Sequence, residues 1–162
     1  MTEVEALLAD ARGRLAGLPR EALGDWRTPR RFLGLARAPR IVPAGSAWHL
    51  GVLLLTDDAV LATGESVRAR QEVRRGFAAE SQRLRAATAA AAFRGGFAEG
   101  TTVHVGWTVL DPAQVHGEAS SGPLAVRDGV PAVRWSTGGG YQPLAAYLDE
   151  RIALLRTPPA GA

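Results

Sequence analysis

A chain of 162 residues with 46% hydrophobic and 22% charged residues is long enough for one folded domain with its own core. All nineteen basic residues are arginines and sixteen residues are acidic, so the formal charge is +3 and lysine is absent. Without lysine the chain lacks Ser-x-x-Lys chemistry and a Walker A loop. Without cysteine it lacks disulfides, thiolate metal sites and cysteine nucleophiles.

The N-terminal segment is predicted to form a helix over residues 2–17. Thr2 and Glu5 fit a capping box, in which each side chain satisfies a backbone amide at the helix start. Apolar residues then recur at helical spacing: Val4, Leu7, Leu8, Ala11, Leu15 and Leu18. This charged, amphipathic segment is not typical of a signal peptide, and no apolar run could span a bilayer. We therefore expect a cytoplasmic protein with no membrane partner.

The next segments predict an irregular arm and a first group of strands. Residues 20–40 show no sustained period and contain two prolines, which favours an irregular arm. Short strands are expected at 40–43 and 47–56, the second rich in valine and leucine. A tight turn at Asp57 and Asp58 should lead into a hairpin partner at 59–65.

The second half of the chain repeats this order. A helix is predicted over 67–94, with a break allowed at Gly76 and a stop at Gly95 and Gly96. Strands follow at 101–110 and on both sides of Asp128-Gly129, a strong hairpin signal.

A glycine-rich loop should then lead into a helix that starts near Pro143. Residues 157–162 are expected to be a disordered tail. The order of elements predicts a single α+β domain over 1–156, with a largely antiparallel sheet from two strand groups and helices at the N-terminus, in the middle and at the C-terminus.

Two stretches share the pattern Gly-x3-His-x-Gly: "GSAWHLGVLLL" (45–55) and "GTTVHVGWTVL" (100–110). An internal repeat is one interpretation, and two unrelated strands are the other. Strand alternation would place each histidine on the same face as the glycine two residues later, which leaves space beside the imidazole. His49 and His104 are therefore the candidate catalytic residues, although a lone strand histidine is more often structural.

The other polar residues give weaker indications of a metal site or an anion site. The remaining candidate metal ligands lack a recognisable metal-binding spacing, so we predict no metal site and no cofactor; they are Asp111, His116 and Glu118. The loop before the last predicted helix could bind an anion through free amides and the helix dipole. Its candidate residues are Thr137, Gly138, Gly139 and Gly140.

The arginines are clustered. Residues 20–40 and 68–85 each hold six arginines against two acidic residues. In the first cluster the candidates for a nucleic acid or another anionic partner are Arg27, Arg30, Arg31 and Arg37, with Trp26 and Phe32 available for stacking. The second cluster is spread around its predicted helix, which favours a solvated surface over a phosphate track. A nucleic-acid partner is thus the less favoured interpretation and stays open.

Three segments carry a resemblance: "APRIVPAGSAWHLGVLLLTDDAVLATGE", "FRGGFAEG" and "GGYQPLAAYLDERIALL". In them the chain resembles a small actinobacterial family whose members bear the name glutaminase, and the resemblance extends over most of the chain. It implies an amide-hydrolysing activity but brings no catalytic residues.

Because no catalytic motif is recognisable, the favoured function is a small binding or accessory protein, with a homodimer as one expectation. The alternatives are a small hydrolase that uses His49 and His104, and an anion or nucleic-acid binder that uses the arginine clusters.

Overall fold

The computed structural model describes residues 1–31, 33–73, 76 and 79–161. Within these ranges the chain forms three α-helices, at the N-terminus, in the middle and at the C-terminus, and ten strands that pair mostly antiparallel. The predicted α+β class is confirmed. The helices are α1 (Glu3–Leu15), α2 (Glu80–Arg94) and α3 (Leu144–Arg156). None of the helices in the described residues is long and apolar enough to cross a membrane.

The strands are short apart from the first two. They are β1 (Glu21–Arg27), β2 (Arg40–Leu50), β3 (Leu53–Leu55), β4 (Val60–Ala62), β5 (Glu65–Arg68), β6 (Thr102–Val105), β7 (Thr108–Val109), β8 (Leu124–Arg127), β9 (Val130–Arg134) and β10 (Tyr141–Pro143). A 3-10 turn spans Pro112–Gln114.

The chain divides into two compact units. Unit 1 comprises Met1–Arg20, Ala47–Thr63 and Thr108–Ala162, and unit 2 comprises Glu21–Ser46 and Gly64–Trp107. Strand β2 begins in unit 2 and ends in unit 1. The expectation of one domain over 1–156 stays a prediction. The tail residues 157–161 form no helix or strand, and Ala162 lies outside the described residues.

Unit 1 is built on α1, α3 and antiparallel strands. The end of β2 pairs with β3, β3 with β4, and β4 with β7, while β8, β9 and β10 form a separate three-stranded sheet. Arg14 of α1 and Asp149 of α3 form an ion pair with 2.7 Å between nitrogen and oxygen. The buried apolar face of α1 follows the predicted stripe, since Val4, Leu8, Ala11 and Leu15 are buried.

Unit 2 has a mixed sheet with α2 packed against it. Strand β6 pairs antiparallel with β5 and parallel with β1. The core consists of alanines, β-branched residues and one phenylalanine: Ile41, Val67, Ala69, Ala91, Ala92, Phe97, Val103 and Val105. Alternation along β6 places Val103 and Val105 toward this core and turns His104 to the opposite face of the sheet.

The single strand predicted over 47–56 is instead divided between the two strands of a hairpin. Strand β2 ends at Leu50, Gly51 adopts a positive φ of 65°, and β3 returns antiparallel. His49 lies opposite Leu54 in the register and Gly51 lies in the turn, so the prediction that His49 and Gly51 share one face of a continuous strand is wrong. A strand cannot continue through a left-handed glycine, and this breaks the alternation.

The second Gly-x3-His-x-Gly stretch also breaks at its last glycine, but its strands pair differently. Gly106 has a φ of 67°, β6 pairs with β5 and β1, and β7 pairs with β4 rather than folding back on β6. An internal repeat is therefore not confirmed. The shared motif marks the same local turn in two different settings.

Two predictions about unit 2 were wrong. Residues 20–40 contain a real strand, β1, because Ala22 and Leu23 pair parallel with β6 some eighty residues later. The helix predicted from residue 67 begins only at Glu80, because residues 65–68 form β5 against β6. Part of that predicted helix, Arg74, Arg75, Phe77 and Ala78, lies outside the described residues.

The predicted helix cap, hairpin turn and helix stop are confirmed. Thr2 and Glu5 form the capping box, and its hydrogen bonds lower the pKa of the Glu5 carboxyl. Asp128 and Gly129 both have positive φ and join β8 to β9. Helix α2 ends at Gly95, and the amides of Gly96 and Phe97 bond to carbonyls of its last turn, as in a Schellman motif.

Candidate functional site

A buried imidazole paired with a carboxylate lies within unit 2. His104 is only 1% exposed, and its Nε2 donates a hydrogen bond to Oε2 of Glu21. The parallel register sets Leu23 beside His104, so Glu21, two residues earlier on β1, lies on the same face. In β5 the residue opposite His104 is Ser66, which is exposed. The sheet thus brings together three polar residues from three strands.

This pair can fix one tautomer and one orientation of the imidazole. A carboxylate performs that task beside many catalytic and metal-bound histidines. In the Ser-His-Asp template, however, the carboxylate holds Nδ1 and leaves Nε2 to the nucleophile. Here Glu21 holds Nε2, so the pair does not reproduce that template. The same hydrogen bond also has a structural role, because burying the imidazole without a hydrogen-bond partner would cost free energy.

His49 lies near the end of β2. Its Nε2 donates to the carbonyl of Gly51 over 3.0 Å, which supports the turn between β2 and β3 in unit 1. His104 belongs to unit 2. The hypothesis that the two histidines act together stays a prediction.

The glycine-rich loop does not lie at a helix N-terminus. Residues 135–140 connect β9 to β10, whose Tyr141 pairs with Arg134, and α3 begins only at Leu144. The loop amides therefore lack the helix dipole on which the anion-site prediction partly depended. Anion binding by Thr137, Gly138, Gly139 and Gly140 stays a prediction that depends on the loop amides alone.

Three of the six arginines of the first cluster lie in the connection between β1 and β2. Arg27 ends β1 and forms an ion pair with Asp25 at 3.1 Å. Arg30, Arg31 and Arg37 lie in residues 28–39 and are exposed. The proposed stacking partner Phe32 lies outside the described residues, whereas Trp26 is 45% exposed.

Charge is divided unevenly between the two units. Unit 2 holds twelve arginines and six acidic residues, a balance of +6. Unit 1 holds seven arginines and ten acidic residues, a balance of −3. Both arginine-rich stretches of the sequence fall almost wholly in unit 2. A local excess of this size attracts anions, which the overall charge of +3 does not indicate.

An open cleft of about 1460 Å³ lies within unit 2, between α2 and the chain from β5 onward. Four arginines line it: Arg68, Arg70, Arg83 and Arg85. All four are exposed, and the acidic lining residues are Glu72 and Glu99. Glu72 also approaches Arg94 at 3.8 Å. The cleft is open to solvent, unlike the enclosed pockets that bury most of the surface of a small ligand.

The first two turns of α2 form one wall of the cleft without being packed into the core. Every residue from Glu80 to Ala87 is exposed, and burial begins at Thr88. Leu84 is 64% exposed, and Val73 in the cleft lining is 62% exposed. A helix exposed on all sides gains little from tertiary packing, so a bound partner would stabilise it.

Sequence reasoning identified His104 and the arginine clusters but missed Glu21 and the cleft. No local signal marks Glu21, because its role depends on β1 lying parallel to β6. The second cluster was interpreted as an ordinary solvated face, since sequence does not show where a helix leaves the core. No family model, curated protein or solved structure matches this chain.

Proposed function

We propose that this protein is a small non-catalytic binding protein, and that unit 2 binds an anionic macromolecule in its arginine-lined cleft. The observation that carries the proposal is the cleft itself. It is lined by four exposed arginines and lies in unit 2, whose formal charge is +6. Exposed arginines form bidentate hydrogen bonds with phosphates and carboxylates. A nucleic acid and an acidic polypeptide therefore both carry groups that these arginines can bind.

The test replaces Arg83 and Arg85 by glutamine on the exposed turns of α2. We expect the double variant to bind a fluorescein-labelled oligothymidine or oligoglutamate about tenfold more weakly, because two charged contacts are lost. For the oligonucleotide, the slope of log affinity against log salt should fall by about 1.4, since a single strand contributes about 0.7 per contact. Fluorescence anisotropy over a salt series measures both quantities.

The matched control is Arg127→Gln with Arg134→Gln in unit 1, which changes the net charge equally. Its affinity should stay within about twofold of the wild type. An equal loss in both double variants would show that only net charge attracts the probe. Absence of binding by the wild-type protein at low salt would contradict the proposal.

A second candidate function is a hydrolase, favoured by the buried His104–Glu21 pair and by the resemblance to the glutaminase-named family. The two functions are separated by ammonia release from L-glutamine. A binding protein should release none. If His104 acts as a catalytic base, His104→Ala should lower kcat by at least about a hundredfold. His49→Ala, measured in parallel, tests whether both histidines take part.

A further inference from the structure

The connection between β1 and β2 exposes large apolar side chains. Leu33 is 86% exposed and Leu35 is 73% exposed, whereas the leucines of β2 and β3 are buried. The chain turns at Leu33 and Gly34, both of which have positive φ. A leucine in the left-handed region is unfavourable, so this turn presents two apolar side chains at a conformational cost.

Basic residues flank these leucines in the sequence. We call the described residues of 26–40 the apolar–basic loop. It holds five arginines and no acidic residue: Arg27, Arg30, Arg31, Arg37 and Arg40. Trp26, at its start, is 45% exposed. At twelve residues, the connection from 28 to 39 is longer than most connections within compact domains.

We infer that the apolar–basic loop binds the surface of an anionic lipid bilayer. Leucine side chains at a turn can enter the boundary between headgroups and acyl chains. Arginines on either side bind the anionic headgroups, and an exposed tryptophan suits the same interface. The inference concerns adsorption to a surface, which differs from spanning a membrane and revises the expectation of no membrane partner.

The composition of the loop favours this occupant over two others. A nucleic acid would satisfy the arginines but would leave Leu33 and Leu35 in water, because aliphatic side chains do not stack on bases as aromatic ones do. A second copy of the chain, docked symmetrically, would place five arginines against five others. An anionic lipid bilayer offers headgroups to the arginines and an apolar interior to the leucines at the same time.

The experiment is co-sedimentation of the protein with vesicles. Vesicles of phosphatidylcholine alone are compared with vesicles that contain about 30 mol% phosphatidylserine, at about 0.1 M salt. We expect binding to the anionic vesicles only. Leu33→Ser with Leu35→Ser should weaken the partition coefficient by about tenfold or more, because apolar insertion is lost. Arg30→Gln with Arg31→Gln should weaken it by about tenfold, and added salt should reproduce that effect.

Leu154→Ser is the matched control, since Leu154 lies on α3 and is 42% exposed. It should bind anionic vesicles as the wild type does. The variant Arg83→Gln with Arg85→Gln should also keep vesicle binding, which separates this surface from the cleft. Circular dichroism confirms that each variant is folded.

Three outcomes would overturn the inference. The first is no binding of the wild-type protein to anionic vesicles. The second is unchanged binding after both leucines are replaced. The third is binding to labelled oligoglutamate that the leucine variant loses while vesicles are never bound, which would assign the loop to an acidic protein partner.

Discussion

Replacing Gly95 by alanine is expected to unfold unit 2, with a loss in the free energy of unfolding of more than about 4 kcal/mol. Gly95 ends α2 with an ordinary φ of −76°, and local propensity alone would predict a gain of about 0.4–1 kcal/mol from alanine. Packing around Gly95 turns this expected gain in the free energy of unfolding into a loss. A Cβ at Gly95 would overlap the backbone carbonyl of Ile41, which cannot rotate away as a side chain can.

Urea unfolding followed by circular dichroism measures this loss, and hydrogen exchange of the β6 amides locates it in unit 2. Gly140→Ala is the matched control, because no atom lies within 4 Å of a Cβ there and its φ is not positive. The control should change stability by less than about 0.5 kcal/mol. A Gly95→Ala protein within about 1 kcal/mol of the wild type would show that α2 does not end against Ile41.

Gly51→Ala is expected to cost about 3 kcal/mol, from two separate causes. Gly51 has a φ of 65°, which alanine adopts only with strain. A Cβ there would also overlap the hydroxyl of Tyr147 and would lie 3.1 Å from Nε of Arg151. That hydroxyl donates to the carbonyl of Leu50 over 2.7 Å and accepts from the amide of Val52 over 2.8 Å. The substitution therefore disturbs the bridge that closes the turn.

Gly106→Ala separates the two causes, since Gly106 has nearly the same φ and no atom lies within 4 Å of its Cβ. It should cost only the conformational strain, about 1–2 kcal/mol. Tyr147→Phe removes the bridge and should cost about 2 kcal/mol. Combined with Gly51→Ala, it should cost at least about 1 kcal/mol less than the sum, because the overlap disappears with the hydroxyl. Additive losses in chemical denaturation would contradict the overlap.

The roles of some glycines were predictable from the sequence, and those of others were not. Gly96 and Gly129 were assigned to a helix stop and a hairpin, and positive φ confirms both. Gly51 and Gly106 were interpreted as space beside a histidine within a strand, whereas they end their strands. Gly95 is required by a contact with Ile41, more than fifty residues earlier, which no local pattern indicates.

The candidate site was predictable in part. His104 was selected for its motif, but its partner Glu21 belongs to a strand whose sequence shows no strand alternation. Parallel pairing depends on a partner distant in sequence, so β1 cannot be recognised from its own residues. The arginines of 68–85 were visible as a cluster, but they were assigned to a helix predicted to begin at residue 67, so the cleft that four of them line was not foreseen.

Elements whose stability comes from local interactions can be recognised from the sequence. The capping box of α1, its apolar stripe and the Asp128–Gly129 hairpin depend on residues within a turn or two of one another. Only the tertiary structure decided which segments share a unit. It gathered two arginine-rich stretches into unit 2 and set Glu21 beside His104, because long-range pairing and burial are properties of the whole chain, not of any short window.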